Sequence, residues 1–453
     1  MTVPVTLAIL GASGDLAERL LLPGLGTLLD THPEYDVTLV GCAVDELSQD
    51  EWVERVRGAL GGKCARSSIE RVVATTRYEQ LDLTSADALR TLLDGLGEEP
   101  VLYLALPPRI TIELCKALTT IEIPEGLRLG LEKPFGSDLE SARKLNELLA
   151  GLVPENQIFR IDHFLGKSVV LNLLGLRFTN RVFEQVWNNQ HIERVEITVD
   201  EILALEDRAG YYDGAGAMRD MVQSHLLLVL ALFAMEEPPA INERDVRDLI
   251  ALMLRHTYIW DDDPVASSRR ARYTAGTIQG EQVPNYVDEE GVDGSRNTET
   301  LAEITLGINT ERRAGVPFRL RSGKALGDAR NGITVAFRPM DHVPEGFTNA
   351  PPNVLSIGMK PANIKLGLST NTESNRFELH QSVLATDLAE SPLKPYGEIL
   401  DSIFRGDPLL TVRGDVAEEC WRIVEPVLQA WAEDQVPLDE YIAGGAGPSS
   451  WNI

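Results

Sequence analysis

The first part of the chain alternates two hydrophobic rhythms. Apolar runs of strand length at 5–10, 37–43, 101–106, 127–131 and 157–161 are separated by stretches with helical spacing. Strands that are apolar on both faces, with helices between them, predict parallel pairing, because each parallel return needs a crossover. One helix start is explicit: Ser48, Gln49, Asp50 and Glu51 form a capping box ahead of Trp52 and Val53. Beyond Asn180 the texture changes to short alternating strands at 194–199, 302–308, 318–321, 333–337, 354–359 and 376–380. Helical patterns at 217–235, 244–256, 393–404 and 416–431 punctuate them. The expected architecture is an α/β domain over residues 1–165, followed by an α+β domain over 166–453 with a large, mainly antiparallel sheet. The acidic 261–263 and the polar 279–297 read as solvated surface connectors.

Composition narrows the function. Within 453 residues, 42 Lys and Arg face 69 Asp and Glu, a formal net charge of -27. Such a surface repels nucleic-acid phosphates and anionic lipid, which argues against nucleic-acid and membrane partners. A small anionic substrate then needs a local cluster of cations, so individual Lys and Arg positions become informative. The four cysteines, Cys42, Cys64, Cys115 and Cys420, lack CxxC spacing, and no histidine pair has ligand spacing, so no metal is expected. Reduced thiols, the lack of a basic segment at the N-terminus and a longest apolar run of only 226–235 lead to an expected cytoplasmic location.

The first strand runs into Gly11, Ala12, Ser13, Gly14, Asp15, Leu16 and Ala17, then an apolar helical stretch. Strand, glycine turn and helix is the context of a dinucleotide site: glycines let the backbone turn tightly and approach a pyrophosphate, and helix-start amides bind it. The second strand of such a unit ends beside the adenosine ribose, and here it ends in Cys42, Ala43, Val44 and Asp45. A carboxylate about 4 Å from a 2'-phosphate charge costs up to about 4 kcal/mol at an effective dielectric near 20, which favours NAD over NADP. A second reading stays open, in which Asp45 and Glu46 only begin the loop before the capped helix.

Three further clusters carry polar chemistry. Arg160, Asp162, His163 and Lys167 lie at the end of the last parallel strand, where open α/β sheets place their ligands. Arg219, Asp220, Ser224 and His225 precede an apolar helix, placing an imidazole between water and core, where it can take a proton near neutral pH. Lys133 and Pro134 close another strand with a step open to the cis form, and Lys324 offers a cation from the second domain. Each also admits a plain structural reading, as an ion-paired loop or a hydrogen-bonded core histidine.

Together these segments resemble the glucose-6-phosphate 1-dehydrogenase family: GASGDLA at Gly11, EKPFG at Glu132, RIDHFLGK at Arg160, RAGYYDGAGAMRDMVQSH at Arg208 and GVPFRLRSGK at Gly315. The resemblance implies a Rossmann-like coenzyme domain, then a sheet domain that pairs subunits in homodimers or homotetramers. It implies His225 as general base and Asp162 as its orienting carboxylate, with hydride passing from C1 of a hexose 6-phosphate to a nicotinamide. It implies His163 and Lys167 at the phosphate, Glu201 and Asp220 at sugar hydroxyls, and Lys133 and Lys324 as substrate-site lysines. Gly11, Ser13, Gly14, Asp15, Leu16 and Asp45 belong to the implied cofactor site, with Lys133 and Pro134 as its positioning pair.

The sequence departs from the family at charged ends of both ligands. Phe164 replaces a tyrosine, Glu18, Arg19 and Leu20 replace a lysine-rich continuation, Ala329 stands where a basic residue is usual with Arg330 one step on, and Ser224 replaces an asparagine. NADP-using members carry arginine where this chain has Val44. Each lost charge-assisted contact costs roughly 1.5 to 3 kcal/mol. The leading expectation is NAD-dependent oxidation of glucose 6-phosphate. The alternatives are a dehydrogenase of a differently substituted or unphosphorylated sugar, and a non-catalytic nucleotide-binding regulator.

Overall fold

Side-chain hydrophobicity sets up the first sheet as the sequence predicts. A computed structural model of the protein describes residues 2–205, 209–373, 375–389 and 391–451. Arg208, which opens one of the five segments, lies outside the described residues. The strands are β1 (Val3–Leu10), β2 (Tyr35–Ala43), β3 (Arg77–Gln80), β4 (Val101–Leu104), β5 (Arg128–Glu132) and β6 (Ile158–Ile161). All pair in parallel, in the order β3-β2-β1-β4-β5-β6. Leu10 is in register with both Cys42 and Leu104, so three strand ends lie level where the order reverses. Only β3 was not foreseen, because its sequence, RYEQ, has no apolar run.

Local signals explain the covering helices. Ser48 caps the helix Gln49–Leu60: its hydroxyl accepts from the Glu51 amide at 3.3 Å, and its own amide donates to the Glu51 carboxylate at 2.8 Å. Trp52 then packs, fully buried, on Gly41, where a Cβ would lie 2.6 Å from the indole. The first compact unit takes in residues up to Ser168 and two returning segments, Pro238–Ala251 and Ser391–Glu418. One carboxylate gathers them: Glu155 accepts from Arg160 at 2.7 Å, from Arg247 at 3.1 Å and from the Gly414 amide at 3.1 Å. Both guanidinium groups are buried, so the shared acceptor offsets their desolvation. Arg160 therefore belongs to the scaffold.

The second unit comprises Val169–Glu237, Leu252–Glu390 and the chain from Glu419 onward. Its strands are β7 (Ile192–Asp200), β8 (Thr257–Ile259), β9 (Ser268–Thr274), β10 (Gly276–Ile278), β11 (Glu281–Val283), β12 (Leu301–Ile308), β13 (Phe318–Gly323), β14 (Asn331–Phe337), β15 (Val354–Met359), β16 (Ala362–Asn371), β17 (Leu379–Asp387) and β18 (Leu438–Ile442). β10 and β11 form a separate hairpin, and the rest build one ten-stranded sheet. It is mixed and mainly antiparallel: β7 runs parallel to β13, and β9 to β18. The strand expected at 376–380 is displaced, since Arg376 and Phe377 form a turn and β17 begins at Leu379. The stretch 279–297 is more than a solvated connector, because Tyr286 is buried within it and donates to Asp213 at 2.8 Å.

Helical structure from Ala209 to Ala234 is long and apolar enough to cross a membrane by length and composition, yet 89% of that apolar window is buried inside the protein. Its character differs along its length. Ala209–Ala217 ends in a kink at Gly216, Met218–Leu226 is a π-helix, and Leu227–Ala234 is a regular α-helix with every residue buried.

Candidate active site

In the first unit the glycine turn is fixed by its neighbours. Gly11 has φ +93°, and a Cβ there would lie 2.2 Å from the Ala105 carbonyl oxygen, so only glycine fits. The Gly11 and Ala12 amides donate to the Cys42 carbonyl at 2.7 and 3.1 Å, holding the turn against the end of β2. Ser13 donates through its hydroxyl to the Asp45 carboxylate at 2.5 Å, while Arg55 donates to the Ser13 carbonyl at 2.7 Å. Tyr78 donates to the Asp45 carbonyl at 2.6 Å. The structure thus brings Gly11, Ser13, Gly14 and Asp45 together at the point where strand order reverses, the place where doubly wound sheets bind dinucleotides. Asp15 is exposed, Leu16 leads into a π-helical turn at Ala17–Leu21, and Val44 is 63% exposed beside Asp45.

At the end of β5, the Lys133–Pro134 bond is cis, and Gly136 at φ +85° brings the backbone against the helix Leu139–Ala150. Glu132 accepts from the Tyr103 hydroxyl at 2.5 Å. Burial pushes its carboxyl up to about 7, against the pull of Tyr103 and Lys133. Glu132 and Pro134 line a cleft of about 180 Å³ with Leu106, Thr111 and Ser137.

After β6, Asp162 is fully buried, and its carboxylate accepts from the Phe164 amide at 3.0 Å. Phe164 is buried with its ring edge-on to His163, and the Lys167 ammonium stands 3.2 Å above that ring. The ring that replaces a tyrosine thus becomes a cation–π platform for Lys167.

The second unit has a polar cluster of its own. Because β7 and β13 are parallel with Asp200 in register with Gly323, both chains emerge at the same sheet edge, and the next residues, Glu201 and Lys324, form an ion pair. Lys324 is not an exposed surface lysine: its side chain is 13% exposed and lies 5.3 Å from the buried Tyr212 ring. Asp200 is completely buried between Arg321 and Arg330, whose contacts to it are 3.2 and 2.8 Å. The cation next to Ala329 is thereby engaged.

Asp220 and His225 sit in the π-helix, both buried. His225 does not open an apolar helix at a water boundary, as its sequence position suggests. Five residues apart, the two would diverge by about 140° around an α-helix, whereas the larger number of residues per turn in a π-helix brings them closer to one face. Tyr211 donates to Asp220 at 3.3 Å. The Ser224 hydroxyl is buried without a hydrogen-bond partner among the described residues. Sequence reading missed Tyr211 and Tyr212, which carry no signal beyond being adjacent aromatics in a glycine-rich run.

A glycine turn at the switch point of a parallel sheet, followed by a mixed-sheet unit that pairs an acid with a lysine and buries a histidine, defines a dinucleotide-binding fold of the two-domain dehydrogenase class. Residues 8–172 match the glucose-6-phosphate dehydrogenase NAD binding domain, and residues 174–452 match the C-terminal domain of the same enzyme. The chain belongs to the glucose-6-phosphate dehydrogenase family. It is 37% identical to a glucose-6-phosphate 1-dehydrogenase of Gluconobacter oxydans, over 98% of this chain and 94% of that one. It is 36% identical to that of Dickeya dadantii, with the same two coverages. Among solved structures, a glucose-6-phosphate dehydrogenase in complex with its substrate glucose 6-phosphate superposes with a TM-score of 0.88 at 30% identity, covering 98% of this chain and 96% of that one.

Proposed function

We propose that this protein oxidises C1 of glucose 6-phosphate, passing hydride to NAD in preference to NADP and forming the 6-phospho-1,5-lactone. The observation that carries the reading is the buried Asp220 and His225 on one π-helix, in a chain whose two halves both match the glucose-6-phosphate dehydrogenase family. His225 takes the proton of the C1 hydroxyl as hydride leaves C1, and Asp162 stabilises the imidazolium that forms. Nicotinamide, when bound, supplies the hydride acceptor. Glu201, Asp220, Lys133 and Lys324 hold the sugar, His163 and Lys167 take the phosphate, and Pro134 with Lys133 positions the cofactor. The Gly11 turn, packed against Ala105 so that no side chain fits, lies where the strand order reverses, the place at which a pyrophosphate would bind.

Preference for NAD rests on the Asp45 carboxylate, tied to Ser13 beside the turn, with exposed Val44 where NADP-using relatives carry arginine. A 2'-phosphate there meets a fixed negative charge and gains no cation. The same reading includes cytoplasmic homo-oligomers paired through the second sheet, whose edge strand β17 exposes Val383 and Leu384.

A second reading, oxidation of a differently substituted sugar, is favoured by two engaged cations: Lys167 on the Phe164 ring and Arg330 on Asp200. Steady-state kinetics with NAD across glucose 6-phosphate, other hexose 6-phosphates and free hexoses separates the two. Glucose 6-phosphate is expected to give the highest kcat/KM by a wide margin. A free sugar in first place overturns the proposal in favour of the second reading.

A further inference from the structure

The kink before the π-helix is built around a buried acid that the reaction does not use. Gly216 has φ 67° and ψ 173°, and a Cβ there would lie 2.4 Å from a Glu299 carboxylate oxygen. That carboxylate accepts from the Met218 amide at 2.9 Å, and the Glu299 carbonyl accepts from the Ala217 amide at 3.3 Å. Glu299 is 6% exposed, and Met218 is fully buried. A carboxylate at the first amide of a helix is held by a charge-assisted hydrogen bond and the helix dipole, which offset its burial. Burial still raises its pKa, while the Met218 amide, Arg219 and Arg270 pull it down.

The same strand start also sets the lysine. Thr300 accepts from the Lys324 amide at 2.9 Å, and its hydroxyl meets the Tyr441 hydroxyl at 2.8 Å, which in turn donates to the Lys324 carbonyl at 2.7 Å. On the other side of the kink, Thr298 donates to the Asp213 carbonyl at 2.7 Å, and the Asp213 carboxylate is closed by Tyr286 at 2.8 Å and Arg296 at 3.1 Å. Three consecutive residues, Thr298, Glu299 and Thr300, therefore clamp the backbone before the kink, the first turn of the helix that carries Asp220 and His225, and the loop that carries Lys324.

We infer that Glu299 is a positioning residue: it fixes the start of the π-helix relative to Lys324, and so the spacing between the sugar-binding groups and the base. The inference rests on the reading of His225 and Asp220 given above. It acts through geometry, and a misplacement of about 1 Å at a reacting centre can cost about 100-fold.

Glu299→Ala leaves the Met218 amide unpaired and frees the kink. It is expected to raise KM for glucose 6-phosphate and lower kcat/KM by about 100-fold, while KM for NAD, which the first unit binds, stays unchanged. Glu299→Gln keeps an acceptor for the Met218 amide and is expected to recover most of the loss. Should the alanine variant not fold, Glu299→Asp carries the test, since it keeps the charge but withdraws it by one methylene from the Met218 amide. Calorimetric binding of glucose 6-phosphate in a His225→Asn background separates this inference from the role of the base, because weakened binding on adding Glu299→Ala supports the clamp whatever His225 does. Unchanged sugar KM and sugar affinity, with activity falling only in proportion to the folded fraction, overturns the inference.

Discussion

His225→Asn is expected to lower kcat by about 10²- to 10⁴-fold, the range that a positioned general base contributes, with KM for glucose 6-phosphate changed only slightly. The argument is one of charge balance. As hydride leaves C1 the hydroxyl proton must go to a base, and asparagine has none to offer near neutral pH. His225 is buried within a helix that continues regularly to Ala234, and asparagine is smaller and keeps a polar nitrogen near the Nδ1 position, so a folded variant is expected. Circular dichroism of the variant checks the fold, and initial rates of nicotinamide reduction check the chemistry. Undiminished turnover would remove His225 from the mechanism.

The second large effect concerns the cofactor. Val44→Arg combined with Asp45→Ser removes a carboxylate worth up to about 4 kcal/mol against a 2'-phosphate and adds a charge-assisted contact of roughly 1.5 to 3 kcal/mol. The ratio of kcat/KM for NADP to that for NAD is expected to rise by about 100-fold or more. The expectation is strong because Asp45 does not float free: Ser13 and Tyr78 hold its side chain and backbone at the glycine turn. An unaltered enzyme that already favours NADP strongly, or a double variant with no change in ratio, would contradict this reading of β2.

Much of the first unit was legible because its signals are local. Apolar runs marked five of six strands, and Ser48 with Glu51 marked a helix start that the structure reproduces hydrogen bond for hydrogen bond. β3 was not legible because an edge strand of mixed polarity has no period to read. Nor was the joining of Pro238–Ala251 and Ser391–Glu418 to the first unit, since it depends on Glu155 receiving Arg247 and the Gly414 amide from remote parts of the chain.

At the site, residue identity was readable and environment was not. The sequence marks Lys324 as a cation, but its ion pair with Glu201 follows from the parallel register of β7 and β13, which no local pattern encodes. The π-helix is invisible for a similar reason, because apolar spacing within Met218–Leu226 does not distinguish an i to i+5 ladder from an α-helix. At Phe164 the sequence shows only a lost hydroxyl, whereas the Lys167 ammonium above its ring is set by the fold.

The most direct test of the central claim follows the hydrogen on the anomeric carbon. With glucose 6-phosphate deuterated at C1 and NAD, the purified protein is expected to deliver the label to C4 of the reduced nicotinamide, read by proton NMR, with one label per lactone formed. Reduced nicotinamide carrying no deuterium, or no reduction at all, would contradict hydride transfer from C1 and the account built on it.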